Sequence, residues 1–256
     1  MSNVLYEKRD GVAYITLNRP DAMNAIDEAT DSELKAVWSD FAADDAADVA
    51  IITGSGRAFC AGADLKTFIP QWEGANMLDV RKNIPNGLGG GITRGQHRLY
   101  KPIIAAINGH AIGGGLEIAL ACDIRIASEK AKFGVFEVRM GLHQGDGGLV
   151  RLVAVAGIGV ALDLTLTGRE VSAQEALALR LVSRVVPPEA LLETAEETAR
   201  MIRRNSQNAV RSAKETIFEL VGRPLDDALR LETLYGYSSL GDFSDARQRL
   251  AQFVKG

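Results

Sequence analysis

Cysteine, positive charge and long apolar runs are all scarce in this sequence, and each scarcity removes a class of function. Only Cys60 and Cys122 are present, among apolar or small neighbours, with no CxxC pair and no Cys/His cluster. A disulfide framework and a thiolate-ligated metal centre are thereby excluded, and two reduced, buried thiols are expected. Lysine and arginine number 29 against 33 aspartates and glutamates, a net charge of -4. A binder of nucleic acid or of a membrane surface needs a basic excess to meet phosphates, so neither partner is expected, and a polyanionic ligand has to find local cations. No apolar run approaches the roughly eighteen residues of a membrane span. The opening MSNVLYEKRDGVAYITLNR lacks the basic region and long apolar segment of a secretory leader, so cytoplasmic residence is expected. The glycine-rich stretches carry neither the Gly-Lys-Ser/Thr of a phosphate-binding loop nor the GxGxxG of a dinucleotide site.

What is present is ordinary globular material: of 256 residues, 46% are hydrophobic and 24% charged, enough for one generous core with a helical appendage. The pattern is α/β. Residues 4–7 and 12–17 are β-branched apolar runs parted by Asp10-Gly11, which predicts a hairpin. Asp27 is placed to cap a helix reaching about residue 43, with Leu34, Val37, Trp38 and Phe41 at helical spacing, and residues 49–53 form the next strand. This order recurs loosely from Lys101 without a repeat in the residues themselves. Between residues 67 and 94 the pattern fades into loop signals around one short helix near 77–82. Helices are predicted over 148–156 and 158–167, then one capped by Ser172, and a strand over 182–186. Amphipathic, charged helices follow over 190–204, 206–221, 224–239 and 243–254. That shift divides the chain into an α/β body, residues 1–195, and a C-terminal helical subdomain, residues 196–256.

The chemistry concentrates in residues 101–151, KPIIAAINGHAIGGGLEIALACDIRIASEKAKFGVFEVRMGLHQGDGGLVR. A buried strand over 103–107 ends at Asn108-Gly109, and Gly113-Gly114-Gly115 opens a helix over 116–121. Glycines let the backbone approach a ligand closely, and the first helical turn presents N–H groups with no partner inside the helix, so the place suits an anion. Glu117 follows Gly114 by one turn on the same face. A second glutamate, Glu137, lies in a loop ahead of Gly145-Asp146-Gly147-Gly148. Paired carboxylates beside N–H donors fit proton abstraction next to a carbonyl, or addition of water across an adjacent double bond. Plainer readings exist for each: turn-and-packing glycines, a Glu117 that favours the positive helix end, and a solvated Glu137. Upstream, FCAGADL at residues 59–65 is smaller than any hydrophobic pattern asks, which would let a ligand lie on bare backbone.

The run NGHAIGGGLEIALACDI at residues 108–124 resembles the central signature of the crotonase (enoyl-CoA hydratase/isomerase) superfamily. RAFCAGADLK at 57–66 resembles a second signature at the expected distance, and with NRPDAMNA at 18–25 the resemblance covers nearly the whole chain. It implies an α/β fold, a spiral of repeated ββα units with a C-terminal helical trimerisation subdomain, assembled as a homotrimer or dimer of trimers. It implies an acyl-CoA substrate in fatty acid metabolism, no cofactor beyond the CoA moiety, and no metal. Ala63 and Gly114 match the two N–H groups that hold the thioester oxygen. Glu117 and Glu137 match the pair that orients a water, Glu137 serving the α-carbon as acid/base and Glu117 activating the water, which makes enoyl-CoA hydratase the leading reading. CoA would lie along Ala22, Met23, Ala25, Ala61, Asp64 and Leu65, with Arg19, Arg57 or Lys66 offering charge to its phosphates. The segment over 67–94 borders the acyl pocket in the family, so Phe68, Trp72, Ile84 and Leu88 are candidate lining residues.

The chain departs from the family pattern around the second glutamate, and the family's C-terminal aromatic-and-lysine CoA contacts have no clean match in residues 247–255. Family hydratases tend to carry Pro before the second glutamate and a Pro-Gly-Ala-Gly-Gly-like loop after it, where this sequence has Phe136 and His143-Gln144-Gly145-Asp146-Gly147-Gly148. Some branches, among them a ring-forming naphthoyl-CoA synthase and a dehalogenase, use an aspartate near the position of Asp146. Asp146 is therefore a candidate catalytic group and His143 a candidate proton carrier. An enoyl-CoA isomerase, decarboxylase or ring-processing lyase using Asp146 stays open. So does a non-catalytic scaffold, against which the two retained glutamates speak.

Overall fold

The computed structural model describes residues 2–83, 86–94, 99–238 and 243–253. The chain begins with β1 (Val4–Arg9), β2 (Val12–Leu17), α1 (Glu28–Ala43), β3 (Val49–Gly54), β4 (Ala58–Cys60), α2 (Leu65–Trp72) and α3 (Met77–Asn83). The middle holds β5 (Ile103–Ile107), β6 (His110–Ile112), α4 (Gly114–Ala121), β7 (Ile124–Ser128), β8 (Lys132–Gly134), α5 (Gly148–Ala156) and α6 (Ile158–Thr167). The last third holds β9 (Glu170–Ser172), α7 (Ala173–Ala178), β10 (Arg184–Val186), α8 (Leu191–Arg203), α9 (Gln207–Leu220), α10 (Leu225–Ser238) and α11 (Phe243–Phe253).

Two sheets organise these elements. The larger has the order β1-β2-β3-β5-β7-β10, antiparallel at the β1–β2 hairpin and parallel elsewhere. The hairpin turns on Asp10 and Gly11, both at positive φ, the conformation whose twist matches the flanking strands. The smaller sheet runs β4-β6-β8-β9, each strand three residues long. Three times in succession the chain leaves a long strand of the first sheet and enters a short strand of the second: β3 to β4, β5 to β6, β7 to β8. This is the recurring unit of the expected α/β spiral, written in topology rather than in sequence.

Alternate residues of the central strands feed two hydrophobic clusters, as in a parallel sheet covered on both faces. Ala50, Ile52, Ala105 and Ile107 join Trp38 and Phe41 of α1 on one side. Val49, Ile51, Ile104 and Ala106 join Leu191, Ala195 and Ala199 of α8 on the other. The domain division expected at residue 195 thus falls inside α8, a helix whose two halves share one sheet face. α1 starts where expected, the Asp27 side chain accepting from Thr30 N at 2.8 Å. At its far end the buried Lys101 ammonium donates to Phe41 O at 2.8 Å and Asp44 O at 2.7 Å, serving orphan carbonyls of the last turn. Lys214 of α9 reaches Asp123 at 2.7 Å and Lys101 O at 2.9 Å, tying the C-terminal helices to the segments that lead into β7 and β5. Among the described residues, no helix is long and apolar enough to cross a membrane.

Trp38 is fully buried, and its indole N–H donates to Gly89 O at 2.8 Å, pinning the loop after α3 to the core. Trp38→Ala is expected to lower unfolding stability by about 3–5 kcal/mol, read as a reduced urea midpoint.

Candidate active site

The site begins with two peptide N–H groups. Ile26 N donates to Gly62 O and Asp64 N donates to Ile26 O, both at 2.8 Å, a parallel bridge between Ile26 and Ala63. That pairing uses the peptides on either side of Ala63, so the Ala63 N–H faces away from Ile26, toward the start of α4. There Gly113 adopts φ 56° and ψ -126°, a conformation open to glycine, and Gly114 is the first helical residue. A Cβ added to Gly114 would lie 3.4 Å from Ala63 N, and one added to Gly62 would lie 2.9 Å from Gly114 N. The two segments therefore meet backbone to backbone, with no room for side chains between them. Gly113, Gly114 and Ala63 open onto a cavity of about 690 Å³.

Six carboxylates border that cavity: Asp27, Glu28 and Asp31 at the start of α1, and the three acids expected from the sequence, Glu117, Glu137 and Asp146. Glu117 is only 3% exposed, and its Oε1 accepts from Asp146 N and Gly148 N, both at 2.9 Å. Burial, reinforced by the charge of Asp146, pushes its carboxyl from the ordinary 4.5 up to about 7, against the pull of those two N–H groups. Glu137, expected in a loop, starts a short 3-10 turn (Glu137–Met140) just after β8. Its Oε1 would stand 3.0 Å from a Cβ at Gly113, and its Oε2 is buried with no hydrogen-bond partner among the described residues. Burial raises this carboxyl as well. Asp146 pairs with Arg94, Nε to Oδ1 3.1 Å, yet burial outweighs Arg94 and Arg151 and holds its carboxyl above the usual range.

The other predicted residues divide. Ala61 and Leu65 line the cavity, as does Leu88. Ala22, Met23 and Ala25 are half-buried and outside the cavity lining, joined to it where Ala61 N donates to Met23 O at 3.0 Å, and Asp64 caps α2 by accepting from Lys66 N. Arg19, expected to offer charge to phosphates, is instead engaged by Asp27 at 3.0 Å and Asp64 at 3.1 Å, since a partly buried guanidinium takes up nearby carboxylates. Arg57 and Lys66 are exposed. Ile84 and the side chains of Phe68 and Trp72 lie outside the described residues. His143 borders the cavity with Nδ1 2.7 Å from Gln144 O, a local contact rather than a bond to any of the three acids. Asp31, Arg94, Met140, Leu142 and Gln144 also line the cavity. Sequence reasoning did not find them, because nothing in their local patterns marks them and only tertiary packing brings them here.

Two backbone N–H groups over a cavity with buried carboxylates can hold an anionic oxygen and move protons on the neighbouring carbons. The enoyl-CoA hydratase/isomerase family model matches residues 7–253. The chain belongs to the enoyl-CoA hydratase/isomerase family. It is 41% identical to the short-chain-enoyl-CoA hydratase of Clostridium acetobutylicum over 256 residues, covering 100% of this chain and 95% of that relative. It is 38% identical to the (E)-benzylidenesuccinyl-CoA hydratase of Thauera aromatica, covering 98% and 94%. The crystal structure of an enoyl-CoA hydratase from Bacillus anthracis superposes with a TM-score of 0.87 at 37% identity, covering 99% of this chain and 96% of that one. The fold is thus the crotonase fold of this family.

A carboxyl whose pKa is raised by folding favours the native state most when protonated, so the stability tied to Glu117 is complete below about 4.5 and lost as pH rises through 7. Against Glu117→Gln, which does not titrate, the native protein is expected to lose on the order of 3 kcal/mol between about pH 4 and pH 8. Urea unfolding of both proteins across that range measures it.

Proposed function

We infer that this protein is an enoyl-CoA hydratase, a hydro-lyase that adds water across the 2,3 double bond of an acyl-CoA thioester. The observation that carries this reading is the meeting of Ala63 and the Gly114 end of α4 at one cavity with Glu117 and Glu137. The thioester oxygen sits between the N–H groups of Ala63 and Gly114. Their pull on it makes C3 electrophilic and stabilises the enolate charge that develops, each donor worth on the order of 3 kcal/mol in the transition state. Glu117, whose Oε1 is held by two N–H groups, acts as the base and takes a proton from water as the oxygen–C3 bond forms. Glu137, whose Oε2 has no partner among the described residues and whose burial favours the acid form, delivers a proton to C2. One water is added, and the two carboxyls exchange protonation states before the next turnover.

The short-chain-enoyl-CoA hydratase among the relatives supports a short 2-enoyl substrate. The CoA moiety is the only cofactor group this chemistry asks for, and no metal takes part. CoA lies along Ala61 and Leu65 at the cavity and continues past Asp64 toward Ala22, Met23 and Ala25, a segment bonded to Ala61 through Met23 O. Exposed apolar residues support a homotrimer or dimer of trimers: Ile158, Leu162 and Leu166 form a stripe on α6, and Leu225 and Leu229 another on α10.

Asp146 favours a second reading, in which it is the working acid of an isomerase, decarboxylase or ring-processing lyase, because it faces the same cavity with a raised carboxyl. The two readings separate on variants assayed by loss of the conjugated thioester absorbance of but-2-enoyl-CoA. Hydration predicts that Glu117→Gln and Glu137→Gln each lower kcat by about 100- to 10,000-fold, with a smaller loss for Asp146→Ala. The reverse order would favour the second reading. No hydration at any chain length would remove the first.

A further inference from the structure

Arg151 stands in the first turn of α5, where the unpartnered N–H groups of a helix make a cation unwelcome. The side chain is half-buried, and among the described residues its hydrogen bonds go to carbonyls alone: Nη1 donates to Thr93 O at 3.0 Å and to Asp146 O at 3.5 Å. The Asp146 carboxylate is taken by Arg94 instead, Nε to Oδ1 3.1 Å. A guanidinium drawn out of water without a carboxylate in contact is costly, so its place needs a reason. Burial lowers its pKa, and Cys122, Glu117 and Asp146 oppose that. The Cys122 thiol, pushed up to about 12 by its own burial, is uncharged near neutral pH, which leaves the two acids. The guanidinium lies against Gly147, where φ is 85° and an added Cβ would collide with Nη1. Gly147 separates Asp146 from Gly148, whose N–H groups both donate to Glu117 Oε1 at 2.9 Å. Arg151 is therefore packed on the very peptides that hold Glu117, and it roots them to Thr93.

We propose that Arg151 is a positioning residue for the hydration step, holding the Asp146–Gly148 loop against Glu117 and supplying the positive charge that keeps Glu117 able to accept a proton. The inference rests on the hydratase reading for the role of Glu117 and goes beyond it by assigning a residue outside the cavity lining. Two effects combine. The rigid fork of a guanidinium fixes two carbonyls at once, and a loop displaced by about 1 Å would lose both N–H bonds to the base. The second effect is electrostatic. Glu117 is faced by Asp146 from the loop and by Glu137 from the turn after β8, and both charges favour its protonated form. Asp31 and Lys35 of α1, and His143, border the same cavity, and Arg94 is engaged by Asp146 and by Gly145 O. Arg151 offsets the acids without meeting the substrate, so its loss should act on turnover rather than on binding.

The test measures kcat and KM for but-2-enoyl-CoA between about pH 5 and pH 9 in the native protein, Arg151→Lys and Arg151→Met, with urea midpoints alongside. Arg151→Met is expected to lower kcat by about 10- to 100-fold while KM stays within about twofold. The acid limb of its kcat/KM profile should move up by about one pH unit, because a base that has lost a nearby cation holds its proton to higher pH. Arg151→Lys keeps the charge without the fork, so it should restore the limb and only part of kcat. An unchanged kcat or an unmoved limb in Arg151→Met, or the same displaced limb in both variants, would overturn the assignment whatever the urea midpoints do. Should Arg151→Met misfold, Arg151→Gln, neutral but still an N–H donor, carries the same expectation for the limb. The carboxyl NMR signal of Glu117, identified by its absence in Glu117→Gln, tests the charge in ligand-free protein without turnover. Its midpoint should rise by about one pH unit in the neutral variant. A midpoint that stays put sinks the role of Arg151, whereas a native protein inactive on every 2-enoyl-CoA sinks the hydratase reading instead.

Discussion

The close approach of two peptide backbones, at Gly62-Ala63 and at Gly113-Gly114, is the constraint on which this structure turns. An N–H group held by its own chain needs no side-chain entropy to stay aimed and does not titrate, so it can stand ready for a developing negative charge. Its cost falls on the surrounding sequence. Gly62 at φ 94° and Gly113 at φ 56° occupy backbone regions that side chains disfavour, and Gly115 leaves no space for a Cβ against Cys60 O. The short sheet holds the arrangement: β4 leads into Ala63, β6 into Gly113, and β8 into Glu137. Three strands of three residues each thus deliver the two donors and one acid to a single point.

Around that point the protein gathers carboxyls and withholds water from them. Glu117, Glu137 and Asp146 are all raised by burial first, and the charge of Asp146 adds to the effect on Glu117. Buried acids in mutual range resist ionising together, so protons are retained near neutral pH in a place where general acid–base work needs them. The N–H bonds from Asp146 and Gly148 pull the other way at Glu117 alone. Glu137 has only its own backbone N–H pulling that way, and its Oε2 has no partner among the described residues. The asymmetry of hydrogen bonding, rather than residue type, separates the two glutamates into different tasks.

Much of this was legible in the residues, and the gaps have physical causes. The long parallel strands β3 and β5, the capped helix α1 and the helix pair α5 and α6 follow from apolar periodicity and capping chemistry, and all fall close to where the pattern puts them. The second sheet was missed as a set, since a three-residue strand has no period to read. Helix α2 was missed because Pro70 lies within it and small residues precede it. At the site, Ala63, Gly114, Glu117, Glu137 and Asp146 stand out through glycine-rich settings and family resemblance, and they border one cavity. Asp31, Arg94 and Gln144 do not, because each looks like an ordinary polar residue until packing brings it to the wall. Arg19 looked like a free cation for the same reason, its partners Asp27 and Asp64 being distant or unremarkable in sequence.

The separation of parts has a consequence for how such a protein can change. The anion cradle is main chain, fixed by topology, whereas the acids arrive on three independent pieces: the first turn of α4, the turn after β8, and the loop before α5. Side-chain replacement on any one piece leaves the cradle standing. New reactions on the same thioester scaffold therefore lie within a few substitutions of one another, and what a lineage inherits intact is the ability to tolerate an enolate rather than any particular use of it.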